Sequence, residues 1–262
     1  MAGIYGLEGS AAIVTGGGKG IGKGITTSLV RAGVRVCINY NATPDMAEAT
    51  CAALKAEGAD VFTYGADVSD KAQCKAMAEE TMRRFGRLDI LVNNAALQTN
   101  DTLVEANLKG YQRLMNVNLK AAALMAQACI PYIKKSQNGR VVNISSIHGK
   151  RPSDFDVAYA VSKGGMHMLT REEAVEFGQW GVTANTVVCG AQVIEGKTLP
   201  GKEYGDPMAQ SNGPWPEDEG GRLAVRMGMP HDTGDLIVYL ASPSAGHLTG
   251  AAIRLDGGMM IL

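Results

Sequence analysis

The chain has 262 residues, 45% of them hydrophobic and 19% charged, and its 25 basic and 26 acidic side chains leave a net charge of −1. This composition excludes a mainly disordered protein. The near-zero net charge leaves no basic face for nucleic acid or for a membrane surface. No apolar stretch reaches the roughly 20 residues that span a bilayer, and the first residues lack the pattern of a signal peptide. We therefore expect a cytoplasmic protein without nucleic-acid or membrane partners.

Cysteine, histidine and glycine usage narrows the chemistry further. The five cysteines form no CxxC pair and the four histidines show no metal-ligand spacing, so we predict buried free thiols and no metal site. Glycine is in excess, with 33 residues against about 18 expected at average usage. The fold therefore needs tight turns and close backbone approaches.

Short apolar runs alternate with helical patterns along the chain. The runs predict seven strands, at residues 11–15, 34–39, 61–64, 89–93, 140–145, 183–188 and 251–255. Helical periodicity predicts helices at about 21–32, 44–57, 70–86, 107–135, 157–177 and 232–241. Thr43 (before Pro44) and Ser69 are the predicted N-caps of the second and third helices. Residues 194–221 are rich in Gly and Pro and predict a loop that covers the active site and becomes ordered on binding.

The alternation of strands and helices also predicts the fold class. Strands joined by helix-length crossovers must pair in parallel. We therefore predict an α/β fold with a single doubly wound, Rossmann-like parallel sheet of seven strands and helices on both faces. With no linker or internal repeat, residues 1–262 are predicted to form one dinucleotide-binding catalytic domain, in which 194–221 is a substrate-loop insertion.

A glycine-rich turn separates the first strand from the first helix. It spans Thr15 to Gly22 and places Gly16, Gly20 and Gly22 in GxxxGxG spacing. Without side chains there, backbone amides and a helix N-terminus can approach a pyrophosphate, which favours a dinucleotide site. A nucleotide-triphosphate P-loop is disfavoured because Gly24 stands where Ser or Thr must hold Mg²⁺.

The end of the second strand bears on the choice of cofactor. An NAD site usually has an Asp or Glu there to bind the ribose hydroxyls, whereas this chain has Asn39, Tyr40 and Asn41. A 2′-phosphate would be attracted by Lys19 in the glycine-rich turn. The sequence therefore predicts NADP as the cofactor, with NAD as the alternative.

A phenol and an ammonium lie on one face of the predicted helix at 157–177, because Tyr159 and Lys163 are four residues apart. A phenol with a pKa near 10 transfers protons poorly at neutral pH, and we expect the adjacent cation to lower that pKa. Ser146 follows the fifth strand, at the edge where open α/β sheets bind ligands. Its hydroxyl is a candidate partner for a substrate oxygen.

These residues belong to a longer set of motifs in a fixed order. The set is TGxxxGIG at 15–22, Asp67-Val68, Asn93-Asn94-Ala95, Asn118, Ser146, Tyr159-xxx-Lys163, Leu248-Thr-Gly250 and Asp256-Gly-Gly258. On these motifs the chain resembles the short-chain dehydrogenase/reductase family over nearly its whole length. The resemblance implies an NAD(P)-dependent enzyme acting on CH–OH groups, which moves a hydride between the nicotinamide and a secondary alcohol or ketone.

The resemblance also implies roles for individual residues. Tyr159 would be the general acid/base, and Lys163 would lower its pKa and bind the nicotinamide ribose. Ser146 would orient the reacting oxygen, and Asn118 would hold a water of the proton relay. The implied cofactor contacts are Gly16, Gly18, Lys19, Gly20, Ile21, Gly22, Tyr40, Asn41, Asp67, Val68, Asn94, Ala95, Ala96, Tyr159, Lys163, Gly190 and Gln192.

The chain departs from the family pattern near the nicotinamide end. Ala96 replaces a usual Gly, and Cys189 replaces the usual Pro before Gly190. Gln192 and Ile194 stand where an apolar residue and Thr are common. None of these changes removes a catalytic group, and we predict a structural rather than a reactive thiol at Cys189.

The polar residues around the catalytic edge favour a polar or anionic small-molecule substrate, such as a sugar, polyol or hydroxy acid, although a solvated charged loop would look the same. They are His148, Lys150, Arg151, Asp154 and Asp156. One alternative is a 3-oxoacyl-thioester reductase acting on an acidic carrier protein. Lys134 and Lys135 support it, but Gln137 and Trp180 stand where docking arginines are common. A second alternative is a nucleotide-binding sensor without turnover.

Small residues on two of the predicted helices bear on assembly. Alanines cluster at 121–128 and glycines at 164–165, and small side chains permit close helix contacts. In the family that this chain resembles, these helices commonly build a dimer face within a tetramer. We therefore expect a homotetramer, although core packing would explain the same alanines.

Overall fold

The computed structural model describes residues 5–99, 101–152, 156–194 and 227–261. The strands are β1 (Ala11–Val14), β2 (Arg35–Tyr40), β3 (Val61–Gly65), β4 (Ile90–Asn93), β5 (Arg140–Ser146), β6 (Thr183–Cys189) and β7 (Ala252–Leu255). The helices are α1 (Gly20–Arg31), α2 (Pro44–Ala56), α3 (Lys71–Phe85), α4 (Leu108–Met115), α5 (Ala121–Ile133), α6 (Val157–Gly178) and α7 (Pro230–Ala241). Apart from Ile194, the predicted substrate loop at 194–221 lies outside the described residues.

All seven strands form one parallel sheet in the order β3-β2-β1-β4-β5-β6-β7, which confirms the predicted doubly wound fold. The strand order reverses at β1, where Val14 pairs with Ile38 of β2 on one side and with Val92 of β4 on the other. In such sheets the ligand crevice lies beyond the carboxyl ends of the strands at this switch point. The glycine-rich turn leaves β1 at that point.

The strands β1, β4, β5 and β6 are buried on both faces, with successive side chains pointing to opposite sides of the sheet, whereas the edge strand β7 is only partly buried. In β1, Val14 packs with α1, α2 and α7, whereas Ile13 packs with α3, α5 and α6. All five cysteines are free and buried within these two cores, which confirms the predicted buried thiols.

Helices α1 and α7 cross at two glycines. A Cβ atom on Gly24 would collide with the backbone of Pro230, and one on Gly234 would lie 2.5 Å from Oγ of Ser28. The Ser28 hydroxyl also donates to Oδ1 of Asp235 at 2.8 Å. Gly24, which a triphosphate P-loop would need as Ser or Thr, is therefore a packing residue.

Of the two predicted helix caps, one is wrong. Thr43 stands at the N-cap position of α2 before Pro44, as predicted, although its side chain makes no capping hydrogen bond. Helix α3 is capped by Asp70, whose carboxylate accepts from the backbone N–H of Gln73 at 3.0 Å. Ser69 does not cap because its hydroxyl donates to Oδ1 of Asp67 at 2.6 Å.

The long helix predicted at 107–135 is interrupted. A π-helical segment, Asn116–Lys120, joins α4 to α5 and places Asn118 in a widened turn. Within the described ranges, no helix combines the length and the apolar character that crossing a membrane requires.

Candidate active site

The glycine-rich turn after β1 has a backbone that only glycine accommodates. Gly16 has a positive φ of 61°, and a Cβ atom on Gly22 would collide with the carbonyl oxygen of Gly16. A Cβ atom on Gly18 would lie 2.5 Å from Cα of Ala47 in α2. The turn therefore presents bare backbone at the N-terminus of α1, which is the geometry that an anionic pyrophosphate requires.

Two adjoining cavities, of about 800 and about 510 Å³, lie along this turn. Both are lined by Gly16, Gly18, Lys19, Ala95 and Ala96. The first adds Gly20, Ile21, Gly22 and Asn94, and the second adds Tyr40, Asn41, Asp67 and Val68. The structure thus brings together thirteen of the predicted cofactor contacts along the ends of β1, β2, β3 and β4.

Asn39 was not among the predicted site residues, but its side chain connects the glycine-rich turn to the end of β3 by hydrogen bonds. Its Oδ1 accepts from the backbone N–H of Gly16 at 3.2 Å, while its Nδ2 lies 3.2 Å from the carbonyl oxygen of Tyr64 and 3.1 Å from that of Ala66. The side chain is buried at the end of β2. A lone amide in an otherwise apolar buried strand is the signal that could have identified it.

Asn94 and Thr15 tie β4 to the same turn. The Asn94 amide donates to the carbonyl oxygens of Thr15 at 2.9 Å and Gly16 at 3.1 Å. In return, the Thr15 hydroxyl accepts from the backbone N–H groups of Asn94 and Ala95. The nitrogen of the Asn94 side chain is therefore committed to the turn, and Thr15 is a further residue that sequence reasoning missed.

Ser146, Tyr159 and Lys163 meet at the carboxyl edge of the sheet. Ser146 ends β5 and its side chain hydrogen-bonds that of Tyr159. Lys163, one helical turn further along α6, places Nζ 5.5 Å from the centre of the Tyr159 ring and donates to the carbonyl oxygen of Ile144 at 2.8 Å. The predicted catalytic side chains are thus in one place.

The protein's own groups raise the pKa of the Tyr159 phenol instead of lowering it. Burial raises this pKa to about 12, against the hydrogen bond with Ser146 that lowers it. Burial also lowers the pKa of Lys163 to about 8, because a desolvated ammonium is costly. The residues around Tyr159 therefore do not produce the lowered pKa that the sequence predicts for its phenol.

Asn118 fixes the backbone that follows β4. Its Oδ1 accepts from the N–H of Leu97 at 2.7 Å and its Nδ2 donates to the carbonyl oxygen of Leu97 at 2.8 Å. Nδ2 also lies 3.2 Å from Oγ of Ser162. A small cavity of about 10 Å³ beside it is lined by Asn93 and Met166, among others. Both polar atoms of the Asn118 side chain are thus engaged with neighbouring groups of the protein.

Gly190 and Gln192, predicted to contact the cofactor, follow β6 and do not line the two cavities. A Cβ atom on Gly190 would lie 2.7 Å from Cα of Asp256. The Gln192 amide donates to Oγ1 of Thr233 at 2.6 Å. Cys189 Sγ lies 3.7 Å from the same hydroxyl, and burial raises the pKa of the thiol, which supports a structural cysteine.

The polar residues that the sequence places near the catalytic edge differ in position and in exposure. The His148 ring lies 6.5 Å from the phenol ring of the site, Lys150 and Arg151 are exposed, and Asp156 is buried. Asp154 lies outside the described residues. Over the ranges that the structure describes, no group of three or more His, Cys, Asp or Glu side chains could hold a metal ion.

Comparisons with known proteins agree with this geometry. The family described as short chain dehydrogenase matches residues 10–195. The chain is 31% identical over 257 residues to glucose 1-dehydrogenase 2 of Bacillus subtilis, which covers 97% of this chain and 96% of that protein. It is 30% identical over 249 residues to the 3-oxoacyl-acyl-carrier-protein reductase FabG of Staphylococcus aureus, with coverages of 95% and 97%. A blue fluorescent protein from a metagenomic library, solved in complex with NADPH, matches with a TM-score of 0.83 and 30% identity over 96% of this chain and 98% of that one. The chain therefore belongs to the short-chain dehydrogenase family and is an NAD(P)-dependent oxidoreductase.

Proposed function

We propose that this oxidoreductase transfers a hydride between NADP and a secondary alcohol or ketone in a small polar substrate, such as a sugar, polyol or hydroxy acid. The meeting of Ser146, Tyr159 and Lys163 at the carboxyl edge carries the proposal. The similarity to a glucose dehydrogenase supports a hydroxylated substrate.

The residues present fit a dinucleotide. Gly16, Gly18 and Gly22 leave the backbone open to a pyrophosphate, and the cavity beyond them has room for an adenosine. Lys19 is exposed at its rim, and Lys109 and Arg113 of α4 line its far wall. These cations favour the 2′-phosphate of NADP over the free hydroxyl of NAD. When bound, the nicotinamide supplies the atom that gives or accepts the hydride.

The site's own groups handle the proton. Because burial holds the pKa of Tyr159 at about 12, the phenol is protonated at neutral pH and ready to donate to a carbonyl oxygen. Ser146 hydrogen-bonds the same oxygen. Lys163 keeps donors free for a ribose hydroxyl, since its bond to Ile144 uses one of three. A water on the main-chain carbonyl of Asn118 would return the proton to solvent.

The substitution Tyr159→Phe tests the proposal. We expect turnover to fall by about 10³-fold, the scale of general acid–base catalysis, with cofactor affinity unchanged. Tyr239→Phe, on the outer surface of α7, is the matched control. Turnover is followed by nicotinamide absorbance with sugars, polyols, hydroxy acids and an acetoacetyl thioester. Full activity in the Phe variant would refute the mechanism, and a preference for the thioester would establish the reductase alternative suggested by FabG.

The cofactor preference has its own test. We expect Lys19→Gln to weaken NADP binding by about 10-fold, the scale of one charge-assisted hydrogen bond, and to leave NAD binding unchanged. Lys55→Gln, near the end of α2, is the control. A preference of the wild-type protein for NAD would refute the assignment.

We also propose a homotetramer that includes a face on α6. This helix exposes Val161, Met168 and Val175 at 47%, 53% and 80%, seven residues apart and so on one side. Leu108 of α4 is 83% exposed. Val175→Glu should reduce the mass measured by light scattering, and an unchanged mass would exclude this face.

We further propose a cytoplasmic location, which cell fractionation tests. We also propose that residues 1–262 form a single domain, which limited proteolysis tests.

A further inference from the structure

A second serine of β5, Ser145, links this strand to helix α6 beside the candidate catalytic residues. Ser145 is buried, with 2% of its surface exposed. Its hydroxyl donates to the main-chain carbonyl oxygen of Lys163 at 2.9 Å and lies 2.8 Å from Nε2 of His167. His167 follows Lys163 by four residues, so both lie on one face of α6. A side-chain bridge thus joins the end of β5 to the middle of α6.

The bridge lies between the two contacts that hold the candidate catalytic pair. Ile144 precedes Ser145 in β5, and its carbonyl oxygen accepts from Nζ of Lys163 at 2.8 Å. Ser146 follows Ser145, and its side chain hydrogen-bonds that of Tyr159. Three successive residues of β5 are therefore each bonded to the same face of α6.

The His167 ring also packs against the turn that follows β5. A Cβ atom on Gly149 would lie 3.0 Å from Cε1 of His167 and 2.7 Å from the carbonyl oxygen of Lys163, so this glycine lets the turn approach the bridge. The backbone N–H of His148, one residue earlier, donates to Oγ of Ser146 at 3.2 Å. The ring therefore lies against the turn whose backbone hydrogen-bonds Ser146.

The hydrogen bonds also assign the proton of the imidazole. Ser145 has a single hydroxyl proton, which the carbonyl of Lys163 accepts, so Nε2 of His167 is the donor toward Oγ. Burial lowers the pKa of this ring, and the charges of Lys150, Arg171 and Lys163 lower it further. The ring is therefore neutral at neutral pH and carries its proton on Nε2.

We propose that His167 is a positioning residue, whose hydrogen bond to Ser145 fixes the end of β5 relative to the catalytic face of α6. This rests on the proposed function, because that function needs the Ser146 hydroxyl and the Tyr159 phenol to reach one substrate oxygen. Catalysis is sensitive to such placement, since a shift of about 1 Å in the reacting groups can cost about 100-fold in rate. His167 acts through its neighbours and transfers no proton itself.

The substitution His167→Phe tests the inference because Phe fills the space of the ring and removes the donor. With the substrates that test the proposed function, we expect kcat to fall by about 10-fold, and KM and the Kd of NADP to stay within about 3-fold of the wild type. His167→Gln, whose amide nitrogen takes the place of Nε2, should restore kcat to within about 3-fold. His231→Phe, the same change at an exposed ring on α7, is the control.

The substitution Ser145→Ala tests the same bridge from the strand, and it serves alone if the Phe variant fails to fold. We expect it to lower kcat as much as His167→Phe does. The double variant should lose no more than either single variant, because both remove one interaction.

A readout independent of turnover is the NMR resonance of the phenol carbon Cζ of Tyr159, in protein with isotope-labelled tyrosine and assigned with Tyr159→Phe. This resonance reports on the hydrogen bond with Ser146. We expect it to move in His167→Phe and in Ser145→Ala, and to keep its wild-type position in His167→Gln.

A protein that turns over no substrate but shows this pattern of resonances would support the inference while refuting the proposed function. Equal losses of kcat in the Phe and Gln variants would show that the ring only fills space. That result, an unchanged kcat in the Phe variant, a change in KM or Kd alone, or a Tyr159 resonance that does not move would overturn the inference.

Discussion

The buried carboxyl of Glu173 is expected to make the stability of the protein depend on pH. It lies on α6 but faces the sheet, with 4% of its surface exposed. Its Oε2 accepts from the side chain of Asn143 at 2.7 Å, and its Oε1 is buried without a partner among the described residues. Burial raises the pKa of Glu173 from 4.5 to about 7, against the hydrogen bond from Asn143 that lowers it, and the charge of Glu176 raises it further.

This raised pKa makes stability depend on pH. Between pH 4.5 and about 7 the folded protein keeps a proton on Glu173 that the unfolded chain releases. The free energy of unfolding therefore falls as pH rises through this window. At about 1.4 kcal/mol per pH unit, the full effect is about 3 kcal/mol, most of which falls between pH 5 and pH 8.

The substitution Glu173→Gln removes this titration. We expect urea unfolding at fixed protein concentration to show a stability difference between the variant and the wild type that moves by about 2–3 kcal/mol in favour of the variant from pH 5 to pH 8. Glu172→Gln, one residue earlier and exposed, controls for the loss of a surface charge. Parallel pH curves for Glu173→Gln and the wild type would refute the reasoning.

Two further substitutions test the glycine-rich turn and the ion pair between the buried Asp89 and the half-exposed Arg87. Gly22→Ala should abolish NADPH binding, measured by fluorescence titration, because the added Cβ collides with the carbonyl of Gly16; retained affinity would mean that the turn adapts. Asp89→Asn should lower the free energy of unfolding by about 2 kcal/mol, because the buried carboxylate accepts two hydrogen bonds from Arg87, at 2.7 and 2.8 Å. Unchanged thermal unfolding would show that the pair contributes nothing.

The sheet and the meeting of the candidate catalytic residues were predictable because their signals are local in sequence. Apolar runs such as 11–15 and 140–145 mark buried strands, and the crossovers dictate parallel pairing. Tyr159, Lys163 and Ser146 then fall at the carboxyl edge through the fold alone. The caps were harder, since Ser69 and Asp70 are adjacent and both are favoured cap residues. Only the contact of Ser69 with Asp67 decides between them.

The remaining features depend on contacts that sequence spacing does not show. Asn39 meets Gly16 across 23 residues and Ala66 across 27. The raised pKa of Tyr159 depends on how deeply α6 packs, because desolvation outweighs the hydrogen bond with Ser146.

The π-helical segment between α4 and α5 sets the orientation of the polar face of α4 relative to the apolar face of α5. Each residue turns an α-helix by about 100°, and a π turn carries one residue more. Ahead of it, a polar stripe lines the cavity at the glycine-rich turn through Lys109, Gln112 and Arg113, and Asn116, the first residue of the segment, continues this lining. Behind it, an apolar stripe enters the core through Ala122, Met125, Ala126, Cys129 and Ile133. Deleting one residue at 116–120 would therefore rotate the polar stripe by about 100° relative to the apolar stripe. Substitutions on α4 would therefore change the lining of the cavity, whereas a change in the length of this segment would alter the orientation of one stripe relative to the other.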